Sequence, residues 1–252
     1  MEKKRCTAVL LAAGSGSRMH SSVPKQFMDL GGRPLIWYSL ETVERSAIID
    51  DCILVTGAED VSYVQQEIVE KYGFTKVSDI TVGGGQRYES VAHALELLEN
   101  RGLRTACEDG FVFIHDGARP FLTEKILEDT YAAAYAYGAC VAAMPSKDTV
   151  KLADPEGYAC QTPNRNSVWL VQTPQVFEAR MICEAYRMLM TSLSTLERQG
   201  IEITDDAMVV ETMLHRHVKL VPASYENIKV TTPEDMRIAM ALLPGSLSGG
   251  QS

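Results

Sequence analysis

The chain has 252 residues, of which 46% are hydrophobic and 23% charged, enough apolar content for one substantial core. Its net charge of −9 is the reverse of the basic excess of a nucleic-acid binder, so that class is disfavoured. Anionic small substrates stay open, because local Lys and Arg override the global field. No apolar run approaches the roughly 20 residues of a membrane span, and no secretory apolar region follows the charged start from Met1 to Arg5, so a cytoplasmic protein is expected.

Residues 6–13 form a continuous apolar run of buried-strand type. Residues 35–46 carry helical spacing, and 52–56 make a second strand. A Glu- and Gln-rich helix is expected at 61–72, a strand at 75–82, a helix at 89–98 and a strand at 110–115 (GFVFIH). An Ala-rich helix at 124–137 and a strand at 139–144 complete the alternation. Strands that are apolar on both faces and alternate with helices predict an α/β fold: a Rossmann-like, mostly parallel sheet sandwiched by helices.

The pattern changes at 147–171. Val150, Tyr158 and Trp169 flank the turn signal Asp154-Pro155-Glu156-Gly157, which predicts an inserted β-arm at about 146–171. Helices resume at 178–192 and 205–214, strands follow at 218–221 and 228–230, and a last helix begins after Thr232-Pro233. One domain over 1–243 is expected, with a Gly/Ser-rich flexible tail at 244–252. The six cysteines form no C-x-x-C pair and no zinc spacing, which reads as reduced, structural thiols. His20, His93, His215 and His217 belong to no motif.

The first strand ends in AAGSGSRM, with PKQF at 24–27. A dinucleotide fingerprint needs a third glycine where Met19 stands, and a P-loop needs Gly-Lys followed by Ser or Thr. What remains is a glycine loop whose N–H groups can approach phosphate, with Arg18 as a forked cation and Lys25 as a point charge. A plain strand-to-helix loop fits these residues as well. HDGARP at 115–120 follows the fourth strand. It sets Asp116 where a carboxylate can hold Mg²⁺ and Arg119 where it can hold a phosphate, although a surface Asp–Arg pair would look the same. GGGQRYESV at 83–91 is a second glycine loop opening a helix, and Ser90 could read a nucleobase edge.

Taken in order, LAAGSGSRM, PKQ, GGRPL, GGGQRYESV, HDGARP, Asp148-Thr149, NRN at 164–166, TPQ at 173–175, TDD at 204–206 and NIKVT at 227–231 resemble the 2-C-methyl-D-erythritol 4-phosphate cytidylyltransferase family. The resemblance covers roughly residues 6–243. It implies a CTP-dependent nucleotidyltransferase that uses Mg²⁺ and works as a homodimer, with the arm reaching the partner's active site. On these motifs it also implies site roles. Arg18, Lys25, Arg165 and Lys229 would be catalytic. Ala12, Ala13, Gly14, Gly16, Gly84, Ser90, Asp116 and Gly117 would bind the nucleotide. Arg119, Thr149 and Thr173 would bind the polyol phosphate, and Asp116 would serve the metal. The family usually has Glu before the arginine of the second glycine loop, where this chain has Gln86. The sister ribitol-5-phosphate cytidylyltransferases look more like L-A-G-G-x-G and H-D-x-V-R-P; Ala13 and Ala118 favour methylerythritol phosphate. A non-catalytic nucleotide-binding protein of the same fold is the rival from another class.

Overall fold

A computed structural model describes residues 2–14, 19, 23–100 and 110–243. The expectations for Gly16, Arg18, His20, Cys107 and the tail 244–252 lie outside these residues.

The centre is a seven-stranded sheet. In chain order its strands are β1 (Cys6–Ala12), β4 (Asp51–Thr56), β5 (Val77–Val82), β6 (Phe111–Asp116), β7 (Ala139–Pro145), β10 (Trp169–Glu178) and β11 (Lys219–Pro222). Across the sheet the order is β11-β7-β10-β6-β1-β4-β5. All pairs are parallel except those of β10, which runs antiparallel to both β6 and β7.

Period-two alternation explains why these strands are apolar throughout. Ala8, Leu10, Phe111 and Phe113 enter one core layer, beneath the helices Leu35–Arg45 (α1) and Glu124–Tyr137 (α4). Val9, Val112 and Ile114 enter the other, beneath Arg87–Asn100 (α3) and Ala179–Arg198 (α5). The expected helix at 61–72 is present, with Val61–Tyr63 (α2) running on as a π-helical stretch, Val64–Glu70. Local chemistry sets several helix ends. Thr123 caps α4, which stops at Gly138 with φ 79°, the left-handed position glycine takes at no steric cost. Asp205 caps Asp206–Leu214 (α6), and Thr232 with Asp235 forms a capping box on Pro233–Leu242 (α7).

Four differences from the sequence reading stand out. The stretch before α1 is a small hairpin, Asp29–Leu30 (β2) with Arg33–Pro34 (β3). It turns on Gly31 and Gly32 at φ 64° and 87°, the paired left-handed turn such hairpins favour. Second, the arm is shorter than expected. Leu152–Ala153 (β8) pairs with Ala159–Gln161 (β9), but Trp169 already begins β10, which pairs with β7 and β6. Third, α5 extends to Arg198. Fourth, residues 228–230 are not a strand: they are irregular and outside the sheet, and the Val230 N–H donates to the Ala118 carbonyl at 2.8 Å.

Among the described cysteines, Cys6, Cys52, Cys140 and Cys183 are buried, Cys160 is exposed, and none is in a disulfide. Burial pushes the Cys6 and Cys140 thiols up to about 12, so they behave as small apolar side chains, as expected.

Candidate active site

The carboxyl ends of β1 and β6 open onto a cleft of about 460 Å³, where open α/β sheets bind ligands. Ala12, Ala13 and Gly14 follow β1 along one wall. Lys25 enters from the short 3-10 turn Lys25–Phe27, which is pinned beneath by the buried Gln26 side chain donating to the Ala12 carbonyl. The second glycine loop forms the opposite wall with Gly84 and Ser90. A side chain at Gly83 would overlap the Ala13 methyl, which is why the two loops can approach so closely. Gly117 is held by its N–H donating to the Leu11 carbonyl at 2.9 Å, and a Cβ there would crowd Leu11 and Ile36. Ser90 lines the cleft, but its hydroxyl accepts from the Gly84 N–H at 3.1 Å and donates to the Gln86 carbonyl at 3.3 Å. It therefore shapes the loop rather than offering a free donor.

Asp116 sits where this cleft meets a second cavity of about 250 Å³ lined by Arg119, Thr173 and Lys229. Lys229 Nζ lies 2.7 Å from Asp116 Oδ2, Arg87 Nε 3.4 Å from Oδ1, and Arg119 Nε 3.9 Å from Oδ2. Burial opposes ionisation of Asp116, but Arg87, Lys229 and Arg119 outweigh it and hold the carboxyl well below the usual range. The Lys229 side chain is 38% exposed, so it opens to the cavity between buried Val230 and half-buried Ile228, and it does so from an irregular segment rather than the expected strand. Thr149 and Arg165 are exposed on the arm, away from both cavities; Arg165 donates to the Lys147 carbonyl at 3.3 Å. Gly16 and Arg18 lie outside the described residues.

Sequence reasoning assigned no role to Arg87, Asp206 or Tyr186. Arg87 grips the fully buried Asp206 with two hydrogen bonds, 2.8 and 2.7 Å, and the buried Tyr186 hydroxyl donates to the same carboxylate at 2.5 Å. Burial and the Asp206 charge raise the Tyr186 phenol well above its ordinary value, so it stays a donor. Arg87 thus bridges Asp206 and Asp116. The available signal was that Arg87 and Asp206 each fall in one of the ordered motifs.

The profile of the 2-C-methyl-D-erythritol 4-phosphate cytidylyltransferase family matches residues 6–244. The chain belongs to that family. A cytidylyltransferase of that name from Lachnospira eligens is 46% identical over 240 residues, spanning 95% of this chain and 99% of the relative. One from Clostridium kluyveri is 39% identical, over 92% and 94%. Among solved structures, the 4-diphosphocytidyl-2C-methyl-D-erythritol synthase of Anaerococcus prevotii superposes with a TM-score of 0.77 at 33% identity, covering 95% and 98% of the two chains. The Thermus thermophilus 2-C-methyl-D-erythritol 4-phosphate cytidylyltransferase gives 0.67 at 29% identity, covering 93% and 96%. As a member of this family the chain is a nucleotidyltransferase that joins CTP and methylerythritol phosphate, and the ribitol phosphate alternative is not favoured.

Proposed function

We propose that the cleft holds CTP, that the adjoining cavity holds 2-C-methyl-D-erythritol 4-phosphate, and that Asp116 stands at their junction. The 4-phosphate oxygen attacks the α-phosphorus of CTP in line, its bond to phosphorus forms as the bond to the β-phosphate oxygen breaks, and pyrophosphate leaves. No covalent protein intermediate is needed, so the protein contributes positioning and charge. Ala12, Ala13, Gly14, Gly16, Gly84, Ser90 and Gly117 form the nucleotide cradle, where small residues let the backbone approach the ligand. Arg18 and Lys25 stabilise the negative charge that develops on the transferring phosphoryl and the leaving pyrophosphate. Lys229 and Arg119 serve the polyol phosphate, Thr173 lines their cavity with its hydroxyl engaged by Asp116 and His115, and Thr149 and Arg165 are added by a partner subunit. The carrying observation is the junction itself: Asp116, Arg87 and Lys229 line both adjacent cavities, and Arg119 joins them from the second.

The donor set fits Mg²⁺ of the shared kind. Among the described residues no cluster of three His, Cys, Asp or Glu could cage an ion alone. Mg²⁺ commonly takes one or two protein carboxylates and completes its shell with substrate phosphates and water. Asp116 is the acidic residue on the CTP cleft wall and would hold the ion there. When bound, the ion offsets charge on the phosphate oxygens.

Replacing Lys229 with alanine tests the substrate assignment. The KM for methylerythritol phosphate should rise by roughly tenfold or more, while CTP binding changes little. Weakened CTP binding with an unchanged KM for the polyol phosphate would overturn the role of Lys229.

The homodimer is supported by the exposed apolar side chains of Leu152 and Tyr158 on the arm and of Leu170 and Val171 at the start of β10, and by Arg165 lining neither cavity of its own chain. If sites are shared, mixing inactive Lys25→Ala and Arg165→Ala proteins should restore activity. Random exchange would give about one quarter of the wild-type rate, since half the dimers are mixed and each carries one intact site. No recovery after subunit exchange would place Arg165 in its own chain's site or outside any site. The five described cysteines, none of them in a disulfide, fit a reducing cytoplasm. No helix among the described residues is long and apolar enough to cross a membrane.

A further inference from the structure

Three segments distant in sequence meet at the polyol-phosphate cavity: residues 115–119 at the end of β6, Gln172 and Thr173 in β10, and Asn227 two residues before Lys229. Their polar groups close into a buried ring. The Asp116 N–H donates to Thr173 Oγ1 at 3.0 Å, and Thr173 Oγ1 lies 3.0 Å from His115 Nδ1. On the other side of the imidazole, Nε2 lies 3.2 Å from the Arg119 carbonyl, which also accepts from Ser39 Oγ at 2.8 Å. Arg119 Nη1 donates to the Asn227 carbonyl at 2.7 Å. Asn227 Nδ2 then donates to the Thr173 carbonyl at 2.8 Å and to Gln172 Oε1 at 3.1 Å. His115, Arg119, Gln172, Thr173 and Asn227 are all buried.

The donor and acceptor inventory favours one proton arrangement. A carbonyl only accepts, so Nε2 facing Arg119 must carry the hydrogen. A neutral ring then leaves Nδ1 bare, and it accepts from the Thr173 hydroxyl, whose oxygen is left to accept from the Asp116 amide. A hydrogen on Nδ1 would face the Thr173 hydroxyl and leave that O–H without its acceptor in a buried place, which costs about 1–3 kcal/mol.

We propose that His115 and Asn227 are positioning residues of the transferase reaction. The ring fixes Asp116, Arg119 and Lys229 relative to one another, and His115 closes it with Nε2 toward the Arg119 carbonyl and Nδ1 toward the Thr173 hydroxyl. The inference rests on the reading that these three side chains face the substrates. The cytidine cradle around Ala13, Gly84 and Ser90 contributes no member to the ring, so disturbing the ring should separate polyol-phosphate use from CTP binding.

Two measurements test it. Long-range ¹⁵N–¹H correlation at neutral pH, with the His115 signals assigned by their loss in His115→Phe, should show a protonated Nε2 and a bare Nδ1. A bare Nε2 with the hydrogen on Nδ1 overturns the ring as described. This readout needs no turnover, so it stands even if the substrate reading fails. In kinetics, Thr173→Val and His115→Phe should lower kcat/KM for methylerythritol phosphate by roughly 10- to 100-fold, with the Kd of CTP within about threefold of wild type. Thr173→Ser, which restores the hydroxyl, should recover to within about threefold. If His115→Phe proves too unstable to assay, the Thr173 pair decides. Wild-type kcat/KM in Thr173→Val overturns the positioning role, and so does a loss that Thr173→Ser fails to rescue or that falls equally on CTP.

Discussion

Lys25→Ala is expected to lower kcat by about 100-fold or more while leaving the fold intact, as losing a charge that stabilises a phosphoryl-transfer transition state typically does. The residue lines the same cleft as the second glycine loop. Its backbone is anchored by its neighbours. Gln26 is buried and bonded to the Ala12 carbonyl, Phe27 is buried, and the Phe27 N–H donates to the Pro24 carbonyl at 2.9 Å. Truncation at residue 25 therefore removes a cation without creating a core cavity, and unfolding free energy should fall by no more than about 1 kcal/mol. Pyrophosphate release at saturating CTP and methylerythritol phosphate measures kcat, and denaturant unfolding checks the fold. Lys25→Arg should recover only part of the rate, because a planar fork replaces a compact ammonium. A wild-type kcat in Lys25→Ala would remove Lys25 from the mechanism.

The sheet and most helices were legible because their causes are local. Continuous apolar runs such as 6–13 and 110–115 mark strands buried on both faces. Thr123 and Gly138 bracket α4 at the residues where its pattern starts and stops. What was not legible depends on distant partners. The strand β10 carries Gln172, Thr173, Pro174 and Gln175, a polar and proline-broken stretch that argues against a central strand. It is tolerated because the register shifts between Val171 and Gln175 and because the two glutamines find partners elsewhere: Gln172 in Ser224, and Gln175 in Asp205 and Ala207. Residues 228–230 alternate like a strand. Their conformation follows instead from Asn227, whose carbonyl and side chain tie the segment to Arg119 and β10.

The site divides the same way. Glycine loops and charged motifs at strand ends announce themselves, so Lys25, Asp116 and Lys229 could be named in advance, and the fold does bring them together. Side-chain pairing does not announce itself. Arg87 and Asp206 are 119 positions apart, and Tyr186 sits on a methionine-rich helix where it reads as core.

Asp206→Asn should therefore be costly, with a loss of about 3 kcal/mol of stability and roughly 10- to 100-fold of kcat/KM. Asp206 is fully buried at the first residue of α6, where the helix N-terminus favours its charge. Both oxygens accept from Arg87, and Oδ1 also accepts from Tyr186. The carboxylate outweighs the burial of Arg87 and, with Asp116, raises that guanidinium well above its ordinary value. An amide has the same shape but lacks the charge, and its NH₂ would point a donor at the donors of Arg87 or Tyr186. Because the Arg87 side chain is 28% exposed, the stability loss should sit at the lower end of the range for a broken buried pair. The displaced cation has another carboxylate within reach, Asp116 at 3.4 Å. Collapse of Arg87 onto Asp116 would tie up the group shared by the two cavities, which is why a substitution behind the site should reach the chemistry. Denaturant unfolding and steady-state kinetics measure the two losses, and a double-mutant cycle with Arg87→Ala separates their cause. If Asp206 acts through Arg87, the double variant should lose less than the sum of the singles in both measurements. Strict additivity would show that Asp206 stabilises α6 independently of Arg87, and wild-type kcat/KM in Asp206→Asn would disconnect it from the site altogether.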